Sequence, residues 1–217
     1  RPPRSTLFPY TTLFRSVYKQ RADGLADEPK VLTLGAYGGD MDFYTLKGTV
    51  EELLDALRIQ DMEYVPVKDN PSYHPGRCAA VYAGGKYLGL FGQVHPLVAR
   101  NYGVNDELYA AELDFPAMFE SRTTEVYYTP LPRFPAVMRD ISVICDDALT
   151  AGELAKCIKK AGGDYLKSVE VFDVYKGANI PEGKKSISFS LALRAEDQTL
   201  TDSHADEAVS DILRALE

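Results

Sequence analysis

The sequence predicts an α+β protein with antiparallel sheets and helices set to one side of them. Two strands joined by Gly84-Gly85 indicate a tight hairpin, because both glycines accept the positive φ of such a turn. A later region reads strand–helix–strand–strand–helix, the order of a split βαβ sandwich. Between the two regions lies Thr129-Pro130-Leu131-Pro132, which cannot belong to a regular element.

Composition narrows the function classes. The 217 residues are 45% hydrophobic and 26% charged, which is ordinary for a globular protein of one or two domains. A net charge of −8 argues against broad, non-specific nucleic-acid binding but leaves room for a local basic patch. Cys78, Cys145 and Cys157 show no paired spacing, so we expect no disulfide framework and a cytoplasmic setting. No apolar run approaches the roughly 20 residues of a membrane span, so we expect no membrane contact.

The domain boundaries follow from these patterns. Within residues 1–16, the part from Ser5 onward resembles the translation of a common sequencing adapter, so we treat residues 1–16 as an artefact and exclude them. This implies a fragment of a protein that begins upstream. We assign residues 17–122 to a first domain, 123–132 to a linker and 133–217 to a second domain.

The first domain opens with a predicted strand at Val31–Gly35 and a helix. We start this helix at a capping box of Thr49 and Glu52, whose side chains can satisfy two free N–H groups reciprocally. Residues 70–77 read as a rigid loop before the hairpin. A short helix from Pro96 and a strand over residues 108–113 complete the domain.

Two glycines three residues apart, Gly89 and Gly92, lie inside the second hairpin strand. A phosphate-binding loop needs its glycines between a strand and a helix. We therefore interpret these glycines as a bulge or a place of close backbone packing.

The second domain begins at Arg133-Phe134-Pro135, where proline fixes φ and favours extended geometry before it. Strands are predicted at 140–145, 168–175 and 186–194, and helices from Thr150 and from about Thr201. Thr150 and Glu153 form a capping box. Alternation places Ile187, Phe189, Leu191 and Leu193 in a core and leaves Ser186, Ser188 and Ser190 facing out.

This serine-lined face, with a basic loop at its rim, could admit stacked bases and phosphates, because small side chains let bases approach a sheet. Tyr175 or Phe134 could stack on a base. The cations that we expect to contact phosphates are Arg139, Lys176, Lys184 and Lys185, and Arg133 is a further candidate RNA contact. Two simpler interpretations stay open: the lysines belong to a solvated loop, and Arg139-Asp140 forms a surface salt bridge at the strand entrance.

No catalytic centre or metal site is predicted. His74, Cys78 and His95 could approach each other, but His-Pro dipeptides in turns are mostly structural. The adjacent acidic pairs Glu51-Glu52 and Asp146-Asp147 suit solvent better than acid–base catalysis. No Ser-His-Asp or Cys-His arrangement stands out.

Several motifs resemble the β subunit of bacterial phenylalanine–tRNA ligase, in the right order from about Val31 to Glu217. The motifs are Asp42–Gly48, Tyr73–Arg77, Gly89-x-x-Gly92-x-x-His95-Pro96, Arg133-Phe134-Pro135 with Arg139-Asp140, and Phe172–Gly177. The resemblance implies a class II synthetase-like antiparallel sheet module without catalytic residues. A ferredoxin-like βαββα domain follows, which binds the anticodon and here lacks its last strand.

The resemblance also implies a role and partners. The chain would be a non-catalytic part of an aminoacyl-tRNA synthetase that attaches phenylalanine to tRNA, with ATP and Mg held by the α subunit of an (αβ)₂ heterotetramer. No cofactor is expected on this chain. The surface residues named above would contact the anticodon region of tRNA. Tyr73, His74 and His95, in rigid turns beside the hairpin, would lie at the subunit interface.

This chain departs from the family at both ends. It lacks the last strand of the ferredoxin-like domain, and it lacks the upstream tRNA-binding, editing and helical DNA-binding-like domains. Two other functions remain possible from the sequence. The chain could be a stand-alone RNA-binding module, or a scaffold whose first domain only packs on another chain.

Overall fold

A computed structural model describes residues 10–217 apart from 124, 127, 129 and 178. The chain forms two compact units, Arg1–Tyr127 and Tyr128–Glu217, each with its own core. Thr129 of the predicted joint, residue 178 of the lysine loop and residues 1–9 of the excluded segment lie outside the described residues.

The first unit is built on a six-stranded antiparallel sheet. Its strands are β1 (Tyr10–Ser16), β4 (Lys30–Tyr37), β5 (Met62–Pro66), β6 (Tyr73–Ala83), β7 (Lys86–Val94) and β8 (Leu108–Asp114). Their spatial order is β1-β4-β8-β7-β6-β5. A separate pair joins β2 (Lys19–Gln20) to β3 (Ala26–Asp27). The helices are α1 (Phe43–Ala56), α2 (Pro96–Asn101) and α3 (Phe115–Ser121).

The main core of this unit lies between one sheet face and helices α1 and α3. Leu46, Val50 and Leu54 of α1 are fully buried at helical spacing against Phe91 and Leu113 of the sheet. Burial of one such side chain contributes about 1.5–3 kcal/mol. The amphipathic stripe of α1 therefore fixes which face of the sheet the helices cover.

The predicted capping box does not begin α1. The helix starts at Phe43, and its N-cap is Asp42, whose carboxylate accepts the backbone N–H of Thr45 at 2.7 Å. Thr49 instead donates its hydroxyl to the carbonyl of Thr45 inside the helix. An aspartate N-cap satisfies a free N–H earlier in the chain, so the Thr49–Glu52 pattern falls within a continuing helix.

The two glycines of β7 lie where backbones approach closely. A Cβ on Gly92 would stand 2.4 Å from the carbonyl oxygen of Arg77, and one on Gly89 would stand 2.3 Å from that of Glu112. The pairing register of β6 with β7 shifts between Val81 and Tyr82, opposite Gly89 and Tyr87. This shift is the predicted bulge beside Gly89. The predicted loop over residues 70–77 is only partly correct, because β6 already begins at Tyr73.

Residues 10–16 are part of the fold, although the sequence prediction excluded them. Strand β1 pairs antiparallel with β4 from Tyr10 opposite Ala36 to Ser16 opposite Lys30. Backbone N–H and C=O groups at the free edge of β4 pair with any extended segment nearby, whatever its side chains. That residues 1–16 are an artefact stays a prediction.

The second unit has the predicted order strand–helix–strand–strand–helix. Its elements are β9 (Val137–Asp146), α4 (Ala151–Ala161), β10 (Leu166–Tyr175), β11 (Lys184–Leu193) and α5 (Asp202–Leu216). The sheet order is β10-β11-β9, and among the described residues no strand pairs the outer edge of β9. The α+β prediction is confirmed.

Local signals predicted this unit well. The capping box of Thr150 and Glu153 begins α4 as expected. Ile187, Phe189, Leu191 and Leu193 are at most 1% exposed and pack against α4 and α5. In the part of the chain that the structure covers, no helix is long and apolar enough to cross a membrane.

Candidate nucleic-acid interface

The second unit has an open face, which is the face of its sheet opposite α4 and α5. Strand register defines three rows across it, each running from β9 through β11 to β10. The rows are Asp140, Ser190 and Glu170; Ser142, Ser188 and Asp173; and Ile144, Ser186 and Tyr175. The three serines therefore occupy the middle strand, as the sequence predicts, and longer side chains flank them.

The centre of the open face is a pair of hydroxyl groups. Ser142 and Ser188 lie with their Oγ atoms 2.8 Å apart. Ser188 faces outward as the sequence predicts, but it is only 8% exposed. A small side chain on a central strand is covered by its longer cross-strand neighbours.

Carboxylates surround the serines, which the sequence prediction did not include. Asp140 and Glu170 flank Ser190, and Asp173 is opposite Ser188. All three acidic residues are exposed. Carboxylate oxygens accept hydrogen bonds from the amino groups of bases and repel phosphates. The open face can therefore read base edges, whereas phosphates require the cations at its end.

An irregularity in β10 hid one of these acids, Asp173, and the ring of Tyr175 from the sequence prediction. The register of β10 on β11 shifts between Val171 and Asp173, so Phe172 is the extra residue of a bulge. Alternation counted from Ser168, which lies opposite Ala192 on the open face, would place Asp173 and Tyr175 on the helix side. Tyr175 instead lies on the open face at 45% exposure, where its ring is available for stacking.

The cations at the end of this face form the lysine rim, defined as Lys176, Lys184 and Lys185. Each contacts Asp146, the last residue of β9, or Asp147, which follows it. Lys176 Nζ lies 2.5 Å from Asp147 Oδ1, and Lys184 Nζ lies 3.8 Å from Asp146 Oδ1. Lys185 donates to the backbone carbonyl of Asp147 at 2.9 Å. The Lys176 hydrogen bond lowers the pKa of Asp147.

The structure does not bring Arg139 to the lysine rim. Its position opposite Leu191 places it on the helix side of the sheet. There its guanidinium contacts Asp202 at 2.8 Å and Asp206 at 3.1 Å, both on α5. The grouping of Arg139 with the lysines is corrected, because alternation along β9 separates it from its neighbour Asp140. The simpler interpretation, that Arg139 forms a salt bridge, is correct, and the partners are Asp202 and Asp206 of α5.

Arg133 and Phe134 precede β9. Arg133 is exposed and Phe134 is half-buried. Their contact with RNA stays a prediction.

Tyr73, predicted at a subunit interface, is inside its own unit. It is 7% exposed and packs with Cys78, Ala80 and Leu90 on the sheet face away from α1. Burial raises its pKa well above the ordinary value. The expectation that Tyr73 is a surface contact is therefore wrong, because its position as the first residue of β6 directs it into a second small core.

The two other residues of the predicted subunit interface hold local backbone turns. Nδ1 of His74 accepts the backbone N–H of Gly76 at 3.1 Å, and Nδ1 of His95 accepts that of Leu97 at 3.3 Å. His95 thereby caps α2. Both side chains are half-buried. Across the described residues, no group of three or more His, Cys, Asp or Glu side chains could hold a metal ion.

Comparisons with known proteins match both units. Residues 13–115 match the family model described as "Phenylalanyl tRNA synthetase beta chain CLM domain". Residues 132–217 match the "Ferredoxin-fold anticodon binding domain". The chain belongs to the family of phenylalanine–tRNA ligase β subunits. The resemblance of its motifs to this family is thus confirmed, and the match includes residues 13–16 of the excluded segment.

Individual phenylalanine–tRNA ligase β subunits agree over most of the chain. That of Clostridium tetani is 39% identical over 193 residues, which is 89% of this chain and 24% of the relative. That of Symbiobacterium thermophilum is 38% identical over 221 residues, covering 97% of this chain and 24% of the relative. That of Bacillus subtilis is 42% identical over 177 residues, covering 82% and 22%. The chain spans about a quarter of the length of these relatives.

Proposed function

We propose that this chain serves phenylalanine–tRNA ligase as the part of the β subunit that binds the anticodon region of tRNA. The observation that carries the proposal is the open face of the second unit, within the matched anticodon-binding domain. This face combines small serines, an exposed tyrosine ring and carboxylates, with the lysine rim at one end.

The binding mode follows from this arrangement. Tyr175 stacks on an unpaired base, a contact typically worth about 1–3 kcal/mol. Asp140, Asp173 and Glu170 accept hydrogen bonds from base amino groups and exclude phosphates from the middle of the sheet. The backbone of the RNA then runs along the lysine rim. A net charge of −8 makes the affinity modest and confines it to this patch.

A titration of tRNA at several salt concentrations tests this mode. The variant Lys176→Ala/Lys184→Ala/Lys185→Ala should bind more weakly, and its salt slope should fall by about 0.7 for each lost phosphate contact. Lys156→Ala/Lys159→Ala/Lys160→Ala, which removes the same charge from α4, should bind like the wild type. Equal affinities and slopes for the wild type and the rim variant would show that the lysine rim is only solvated.

We further propose that the first unit associates with the α subunit in an (αβ)₂ heterotetramer in the cytoplasm. ATP and Mg act at the α subunit, and this chain supports the attachment of phenylalanine without catalysing it. A pull-down with the α subunit, combined with tRNA binding, tests this role. Tight tRNA binding without α association would favour a stand-alone RNA-binding module. Association without tRNA binding would favour a scaffold.

A further inference from the structure

Asp147 binds two of the three ammonium groups that the lysine rim would offer to a phosphate. Its carboxylate is 2.5 Å from the ammonium of Lys176, and its backbone carbonyl accepts Lys185 at 2.9 Å. Both side chains of the Lys176 pair are about half exposed, so solvent and ions reach the contact. Two of the three rim lysines are therefore already engaged by one residue of the same chain.

The position of Asp147 is fixed by the backbone around it. Asp147 donates its N–H to the carbonyl of Gly183 at 2.9 Å, which ties the end of β9 to the start of β11. Gly183 adopts a φ of 78°, the left-handed region that glycine enters without strain. The carboxylate therefore stands beside the lysines before any ligand arrives.

We infer that Asp147 is a specificity-determining residue that competes with phosphate for the lysine rim. The inference rests on the proposed RNA-binding function. It explains how an anion site can reject anions that carry no base, and it assigns this discrimination to a residue outside the open face.

The competition acts by exchange. A phosphate that binds Lys176 replaces one charge-assisted hydrogen bond by another and leaves the Asp147 carboxylate nearby and unpaired. A free polyanion therefore gains little at the rim. An RNA held by its bases on the open face has a high effective concentration of phosphate beside Lys176, so it displaces the carboxylate. Selectivity arises from the repulsive group as well as from the attractive ones.

The test compares Asp147→Asn with Glu182→Gln in the 217-residue chain. Glu182→Gln removes the same charge from the neighbouring loop and leaves the Asp147–Lys176 ion pair intact. The probes are a labelled heparin oligosaccharide, which has charge but no bases, and a labelled anticodon stem–loop RNA, each titrated at several salt concentrations. Asp147→Asn should raise heparin affinity by up to about five-fold, the range of an exposed ion pair, and should raise RNA affinity less.

Two results would overturn the inference. One is an equal effect of Asp147→Asn and Glu182→Gln on heparin, including no binding by either variant. The other is a full gain that survives when Lys176→Ala is added to Asp147→Asn. The proposed function fails separately, if heparin responds as expected but no variant binds the stem–loop more tightly than heparin.

Discussion

Ser142 and Ser188 share a hydrogen bond of 2.8 Å across β9 and β11, although only Ser188 is buried. Ser142 is exposed and can exchange its partner for water. Ser188 has neighbouring strands on both sides and little access to water. Removal of the Ser142 hydroxyl and removal of the Ser188 hydroxyl should therefore lower the free energy of unfolding by different amounts.

This asymmetry predicts unequal effects of two matched substitutions. Ser142→Ala leaves the buried hydroxyl of Ser188 unpaired and should lower the free energy of unfolding by about 1–3 kcal/mol. Ser188→Ala leaves the exposed hydroxyl of Ser142 to water and should cost about 1 kcal/mol or less. Denaturant titrations of both variants measure the difference. Equal losses would mean that water reaches Ser188 as easily as Ser142.

Tyr73 should act through stability, because it is buried with Cys78, Ala80 and Leu90. Tyr73→Ala should lower the free energy of unfolding by about 3 kcal/mol, as expected for truncation of a buried aromatic ring. The control is Tyr102→Ala, since Tyr102 is 83% exposed and should change stability by about 0.5 kcal/mol or less. If Tyr73→Ala weakens α-subunit association at unchanged stability, the result would support the prediction that Tyr73 lies at the subunit interface.

Two glycines of the first unit should respond in opposite directions to alanine. In Gly92→Ala, the new Cβ would stand 2.4 Å from a backbone oxygen, so the hairpin must shift at a cost of about 1–3 kcal/mol. Gly48 lies inside α1 with nothing within 4 Å of a new Cβ. Gly48→Ala should therefore stabilise the unit by about 0.5–1 kcal/mol through helix propensity. Thermal unfolding of the two variants separates these effects, and a neutral Gly92→Ala would contradict the close approach of β6 and β7.

The elements that the sequence predicted correctly are those specified by nearby residues. The Thr150–Glu153 capping box and the alternation of β11 need only a few neighbours to be recognised. Helix α1 was predicted to begin too late because two capping patterns occur in a row, and local sequence does not show which is used. Strand β5 and helix α3 were not predicted at all. Both are short, and β5 is defined by pairing with β6 rather than by its own pattern.

The sequence predicted on which face the serines of the candidate site lie, but it did not predict which partners the charged residues contact. Alternation correctly placed Ser186, Ser188 and Ser190 on the open face. The ion pairs of Lys176 with Asp147 and of Arg139 with α5 join residues 29 and more positions apart. Such contacts depend on how the strands are arranged in space, which the spacing of charges along the chain does not reveal. The bulge at Phe172 likewise hides the side on which Asp173 lies.

The N-cap of α1 should make stability depend on pH in the acid range. Hydrogen bonds from the side chain and backbone of Thr45 lower the pKa of Asp42 below its ordinary value of 3.8. Its contribution is therefore complete above pH 3.8 and is lost as pH falls through the lower folded-state pKa. Asp42→Asn keeps a good N-cap without a charge. Its unfolding midpoint should therefore rise relative to that of the wild type as the pH falls. Thr49→Ala should leave the pH dependence unchanged. A difference in midpoint between Asp42→Asn and the wild type that stays constant with pH would show that the N-cap does not contribute to the acid response.

Arg139 should stabilise the second unit and leave RNA binding unchanged. Its Nε and Nη2 atoms donate to Asp206 and Asp202, which fixes the start of α5 beside β9 on the helix side of the sheet. Arg139→Ala should therefore lower the unfolding midpoint while the tRNA affinity stays that of the wild type. Arg139→Lys should recover only part of the loss, because an ammonium cannot reproduce the planar fork that contacts two carboxylates. A double-mutant cycle with Asp206→Ala should show coupling between the two side chains. A loss of tRNA affinity at an unchanged midpoint would instead make Arg139 a phosphate ligand, and the lysine rim would then be only part of the RNA-binding surface.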